Sequence, residues 1–401
     1  MYMEFEGLNI EAEKLVTIFA AETGIDSKNI RTVASPYRIC PLGAHIDHQG
    51  GPVLGMTINA YTILAYIPTE DGSINLRSLN YPGNVAFHLD RIPENTGGFW
   101  GTYARGAVLA LKEAHTLKRG IIGLIKGHLP GGGLSSSASI LLAYLSVLGE
   151  ANDLQPTPWD FVSLVQCSEN IHIGLNNGIL DQTSIVFGRK DHLLHIDTQD
   201  RNVAAYKTTE TNGTYSILIA YSGYSRELTT TGYNSRVNEC RKAARLLSDF
   251  DKGPPVDKLG DISERVFLRY GDKLPHHLYR RATHFFTEAA RVRDGLEAWR
   301  QRRIETFGRL MFESCRSSIE QYECGSQAIH DLQQIVSQTE GIIGSRFSGG
   351  GFGGCVVAFV EASKAEEAVN NIRITYQKRH PEAADQAEVY LAKSEDGVRF
   401  L

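Results

Sequence analysis

The sequence predicts an α+β protein in two domains, and three observations carry that reading. The chain has 401 residues, more than one core usually organises. Strand-like and helix-like runs are mixed along it, as in two α+β layers. Two glycine-rich loops, Gly131 to Ser139 and Gly349 to Gly354, lie in opposite halves. The domains are taken as residues 1–205 and 206–401, joined near Asp197 to Thr214.

Leu8 to Thr23 reads as an amphipathic helix. Thr32 to Ile67 holds β-like runs around a loop rich in Gly, His and Asp. Trp100 to His115 is expected to be helical. Gly120 to Lys126 reads as a strand that leads into the first glycine-rich loop, and the apolar run from Ile140 continues as a helix. Pro158 to Ile173 reads as a helix with proline at its start. Tyr215 to Tyr221 is apolar and β-branched, hence a strand. Gly232 to Gln338 is expected to be mostly helical, with Val356 to Val360 a short buried strand and Lys364 to Arg379 a last helix. Asp251 to Pro255 reads as a surface loop.

Composition narrows the function. Apolar and charged fractions are those of an ordinary globular protein. A net charge of −5 argues against nucleic acid and anionic membrane as partners. The six cysteines are scattered with no CxxC pair, so they read as reduced, mostly buried thiols of a cytoplasmic protein. The N-terminal MYMEFEGLNIEAEKL is acidic and lacks the apolar run of a signal peptide or membrane anchor.

The run GGGLSSSAS, Gly131 to Ser139, carries the chemistry. Glycines let backbone N–H groups crowd a ligand. A helix start adds unpaired donors and the positive end of its dipole. Together they seat phosphate, and serine hydroxyls reach a metal ion. No lysine follows in the Walker A position. The plain alternative is a helix cap after a glycine turn.

Three further stretches bear on the site. SPYRICPLGAHIDHQGG, Ser35 to Gly51, sets Arg38, His45, Asp47 and His48 between likely strands; it reads as a surface for sugar hydroxyls rather than a metal site. NNGILDQTS, Asn176 to Ser184, places Asp181 after a glycine turn, where a cap or turn role is the plain alternative. Glu169 lies on the preceding helix, so two carboxylates near a phosphate seat divide naturally between a metal and an attacking hydroxyl. RFSGGGFGGC, Arg346 to Cys355, satisfies GxGxxG at Gly349, Gly351 and Gly354, yet a strand follows rather than a helix. That context rejects a dinucleotide fingerprint and favours a turn packed beside the nucleotide loop. The Arg280 to Arg309 stretch interleaves acids with its arginines and reads as a solvated helical face.

Taken in order, RICPLGAHIDHQGG, LPGGGLSSSAS, ENIHIGLNNGILDQ, TTTGYNSRVNEC and RFSGGGFGGC resemble the GHMP small-molecule kinases, in the sugar-kinase branch around the galactokinases. The likeness spans nearly the whole chain. The runs WGTYARGAV, NGILDQ and YECG are similar to those of galacturonate kinases. The resemblance implies a two-domain fold with the active site in the interdomain cleft, and ATP-dependent phosphorylation of a sugar's anomeric hydroxyl with Mg2+. It implies Asp181 as catalytic aspartate and Arg38 as the arginine that pairs with it and faces the transferred phosphoryl. Gly131, Gly132, Gly133, Leu134, Ser135 and Ser136 would form the phosphate loop, with Ser137 and Glu169 on magnesium. Trp100 would lie near the adenine. His45, Asp47, Gly178 and Tyr233 would contact the sugar.

One departure bears on substrate. The family's galactokinases have glutamate where this chain has Ala44, and that glutamate binds the hydroxyl on sugar carbon six. In galacturonate that carbon is a carboxylate. Two like charges about 4 Å apart at an effective dielectric near 20 repel by roughly 4 kcal/mol. The expected partners are therefore a sugar acid and ATP. Arg226, His48, Thr230 and Tyr233 are candidates to read its carboxylate. Galactose or glucuronate as acceptor, and a sugar and ATP sensor without catalysis, remain as alternatives.

Overall fold

The structure is a computed structural model that describes residues 3–94, 100–129, 132–208, 215–224, 232–351 and 353–401. The first half runs β1 (Met3–Glu4), α1 (Leu8–Thr23), β2 (Arg31–Ile39), β3 (Val53–Thr69), β4 (Ser73–Ser78), β5 (Asn84–His88), α2 (Gly101–Ala114), β6 (Gly120–Gly127), α3 (Ser136–Ala151), α4 (Pro158–Cys167), α5 (Leu180–Val186), β7 (His192–Asp197) and β8 (Asn202–Lys207). The second half runs β9 (Tyr215–Tyr221), α6 (Tyr233–Phe250), α7 (Glu264–Tyr270), α8 (His276–Arg300), α9 (Ile304–Glu320), α10 (Gln327–Gln338), β10 (Ile342–Phe347), β11 (Cys355–Glu361), α11 (Ala365–Arg379), β12 (Glu388–Ala392) and β13 (Arg399–Phe400).

Among the described residues the strands form two sheets. One has the order β13-β2-β3-β6-β4-β5, with β7 and β8 joined to the first residues of β3. The other has the order β1-β12-β9-β11-β10. Each sheet borrows a strand from the far end of the chain. Met3–Glu4 pairs with β12, and Arg399–Phe400 pairs with β2. The two halves are thereby laced at both termini, beyond the simple division at residue 205.

Local chemistry explains the elements around the site. The 17-residue β3 is long enough to pair with β2 and β6 at one end and β7 at the other. Helix α3 is apolar nearly all round, and its residues Leu141 to Gly149 are all buried between the first sheet, α2 and α4. Helix α4 starts on a capping box, Thr157 with Asp160, and has proline at its first turn. A separate apolar cluster joins Ile39, Leu54, Met56 and Ile58 of the first sheet to Ile217, Ile219, Val357 and Phe359 of the second. This shared core fixes the cleft between the domains.

Several expectations need correction. Asn202–Lys207 is a strand paired with His192–Asp197, so the expected join is partly sheet. The helix from Pro158 stops at Cys167 and passes into a π-helical turn over Ser168–Ile173. The Arg280 to Arg309 stretch is only in part a solvated face. Arg281 and Glu288 are fully buried, the first paired with Glu239 and Glu323, the second with Arg291. Burial of these charges is tolerable because each has an ionic partner.

The two glycine-rich loops pack against each other as expected. Gly349 has φ +66°, and a Cβ there would stand 2.9 Å from the Gly133 carbonyl oxygen. Gly349→Ala should therefore cost about 1–3 kcal/mol from strain plus the displaced contact. Gly24→Ala carries similar strain, φ +71°, with nothing within 4 Å of its Cβ. Thermal denaturation should show a larger loss of Tm for Gly349→Ala; equal losses would contradict the loop contact.

Candidate active site

A single guanidinium ties the motifs together. Arg38 leaves the end of β2 and is 3% exposed. Its Nε donates to Asp181 Oδ1 at 2.8 Å, and Nη2 lies 2.6 Å from the same oxygen. Nη1 reaches the Gly133 carbonyl and Ser348 Oγ, each at 3.3 Å. The Arg38 backbone N–H donates to the Leu134 carbonyl at 3.2 Å. Residues from both halves of the chain thus converge on one side chain.

Above it lies the loop before α3. Leu134 is fully buried and anchors the loop in the shared core. Ser135 caps α3 in a left-handed conformation, φ 64°. Such a conformation in a residue with a side chain is stored strain and is typical of ligand-clamping turns. The buried Ser135 hydroxyl has no hydrogen-bond partner within the protein. The first turn of α3, at Ser136 and Ser137, adds helix-start N–H donors. This is an anion seat of the kind expected for phosphate. Gly131 lies outside the described residues, as do Arg226 and Thr230.

Three carboxylates crowd the same region. Glu169 sits on the π-helical turn with no exposed surface. Its Oε2 accepts from Asn177 Nδ2 at 3.2 Å, and Oε1 has no partner. Burial, and then the Asp181 charge, push its carboxyl up to about 8, while hydrogen bonds from Asn177 and Ser137 oppose the shift. Asp47 accepts the Leu180 N–H at 3.1 Å. It is pushed up to about 6, again by burial first and the Asp181 charge second. The orphaned Glu169 oxygen beside the Ser137 hydroxyl is a hard-oxygen pair that fits Mg2+.

Ala44, His45, Asp47, Gly178, Asp181 and Tyr233 line one pocket with Arg38. The structure therefore brings together the residues expected to contact sugar. Gly178 packs so tightly against the Asp47 carboxylate that no side chain would fit. His45 is stacked on Tyr322 with ring centroids 4.6 Å apart. Burial holds its imidazole well below the usual histidine range. His48 faces an adjoining pocket and bonds the Tyr322 hydroxyl at 3.0 Å. Burial lowers it to about 3, so it presents no positive charge to a carboxylate. Trp100 stands just before α2, where its indole N–H donates to the Pro82 carbonyl at 3.1 Å.

Sequence reasoning missed the wall behind Ala44. The Ala44 carbonyl accepts from His284 Nε2 at 2.9 Å, and the Gly43 N–H donates to Glu288 Oε1 at 2.7 Å. Glu288 is lowered to about 2 against its own burial by Arg291, His284 and Arg346. Arg346 also lines the pocket and donates to Ser314 Oγ at 2.7 Å. Nothing in the sequence pairs these positions, which come from α8, α9 and β10. Arg346, inside the third motif, was the one legible member.

Glu169 gives this site a pH signature. With its carboxyl raised to about 8, chiefly by burial, Mg2+ affinity should rise with pH until about 8 and flatten above. Calorimetry at pH 7 in buffers of different ionisation enthalpy should count about one proton released per cation. Glu169→Gln should abolish that release. Cation binding without proton release in the parent protein would contradict the assignment.

Known proteins resemble the chain along most of its length. The family models described as GHMP kinases N terminal domain and GHMP kinases C terminal match residues 102–189 and 295–378. A galacturonokinase from Arabidopsis thaliana is 39% identical, with 98% of each chain covered. A galactokinase from Roseiflexus sp. (strain RS-1) is 34% identical over 91% of this chain and 92% of its own. The crystal structure of Lactococcus lactis galactokinase complexed with galactose superposes with a TM-score of 0.88 at 30% identity, covering 98% of this chain and all of that one. The chain belongs to the GHMP kinase family, as an ATP-using sugar kinase of the kind that includes galactokinases and galacturonokinases.

Proposed function

We propose that the chain transfers the γ-phosphoryl group of ATP to the anomeric C1 hydroxyl of D-galacturonate, giving galacturonate 1-phosphate and ADP. The observation that carries the acceptor is Ala44. It presents a methyl group to the pocket where the family's galactokinases carry a glutamate. The pocket wall also holds Arg38 and Arg346 alongside Asp47 and Asp181, so its uncharged face is the one at Ala44. The Arabidopsis thaliana relative named galacturonokinase supports the same reading.

In this reading Asp181 accepts the C1 hydroxyl proton as the sugar oxygen bonds phosphorus and the ADP oxygen departs. Arg38 keeps Asp181 in place through two nitrogens on one oxygen. It also stands beside the phosphate loop through the Gly133 carbonyl. The loop and the start of α3 hold the phosphates. Glu169 and Ser137 would hold magnesium, which offsets phosphate charge when bound. Phosphoryl transfer has a loose transition state, so positioning and electrostatics supply most of the acceleration. His45, Asp47, Gly178 and Tyr233 orient the sugar ring. Trp100 is assigned to the adenine side, and Gly131 to the phosphate loop, from the family pattern.

Galactose is a second reading, favoured by the likeness to the galactose complex. Ala44→Glu separates the two. A like-charge cost of about 4 kcal/mol predicts roughly a thousandfold fall in kcat/KM for galacturonate, with galactose turnover spared. Full galacturonate activity in that variant would remove Ala44 from the account. Asp181→Asn should abolish turnover while ATP binding, followed by calorimetry, persists. Parent-like turnover in Asp181→Asn would exclude Asp181 from the chemistry.

A further inference from the structure

We propose that Glu113, Cys167 and His172 form a second metal site, for a borderline-soft divalent ion of the zinc type. The three side chains offer a carboxylate oxygen, a sulfur and an imidazole nitrogen, all within 4.8 Å of one another. Glu113 Oε1 lies 3.0 Å from His172 Nε2, and Glu113 Oε2 lies 3.4 Å from Cys167 Sγ. Ligand atoms around a tetrahedral zinc stand about 3.3–3.6 Å apart, given bonds of about 2.0–2.3 Å. The cluster is therefore close to a coordination shell before any ion arrives.

The backbone explains the convergence. Cys167 and His172 are five residues apart, and the π-helical turn over Ser168–Ile173, which Cys167 opens, is held by hydrogen bonds between residues five apart. An i+5 pair points in different directions on an α-helix but shares a face on a π turn. The Gly174 N–H donates to the Glu169 carbonyl at 2.9 Å, a bond of that longer period. Arg105 Nη1 donates to the His172 carbonyl at 3.3 Å and steadies the turn. Glu113 arrives from the last turn of α2.

The donor set separates this site from the one for magnesium. Glu169 and the Ser137 hydroxyl are hard oxygens, whereas thiolate and imidazole select zinc and cobalt over magnesium. Glu113 is half exposed at its side chain, 53%, so the fourth position opens to water. Binding breaks the S–H bond, forms the metal–sulfur bond and releases the proton to solvent. A metal held there would cross-link α2 to the turn that carries Glu169.

Titration of the full chain with Co2+ tests the site, in a non-chelating buffer with millimolar Mg2+ present. A thiolate-to-cobalt charge-transfer band should grow to one Co2+ per chain, and Zn2+ should displace it. Cys167→Ser should lose the band while keeping parent kinase turnover with Mg2+ as the only added metal, and parent Tm in metal-free buffer. Zinc should raise the Tm of the parent and leave that of Cys167→Ser unchanged. Among the described cysteines Cys167 is the one that is not buried, so zinc should also slow its alkylation by iodoacetamide. No sulfur band in the parent, or a band that survives Cys167→Ser, would overturn the proposal.

Discussion

The Arg38 guanidinium is the constraint on which the site depends. It is a nearly buried cation, and burying a charge is costly unless it is paired and hydrogen-bonded. Its partners are Asp181 from the first turn of α5, a carbonyl of the phosphate loop and a serine beside the second glycine-rich loop. Those three segments are far apart in sequence. Their mutual placement follows from one side chain that must satisfy its donors inside the cleft.

The same economy of positive charge shapes the rest of the site. Asp47, Glu169 and Asp181 share a small region, and burial, with the Asp181 charge second, raises both neighbours. In the proposed mechanism, metal binding at such a site would be linked to proton release. The acceptor pocket next to it is more permissive. Its wall at Ala44 is uncharged, and the backbone there is braced from behind by His284 and Glu288.

Much of this was legible in the sequence because the chemistry sits in contiguous runs. Arg38, His45 and Asp47 fall in one motif, Asp181 and Gly178 in another, and the structure puts them on one pocket. Helices with a buried face, such as α3, were plain from their apolar runs. The short strands β4 and β8 were not read. In β4 the alternating burial of Ile74 and Leu76 was a usable signal, but β8 buries none of its residues fully. The π turn was illegible because apolar spacing does not report the backbone hydrogen-bond period. The burial of Arg281 and Glu288 was equally hidden, since charge pattern along a helix says nothing of partners such as Gly43 or Glu323.

The most direct test is a competition assay in which the purified chain, with ATP and Mg2+, meets galacturonate and galactose in one vessel. The ratio of sugar 1-phosphates formed gives the ratio of kcat/KM values without further assumptions. The account predicts that galacturonate 1-phosphate dominates. A ratio near one, or an excess of galactose 1-phosphate, would contradict it.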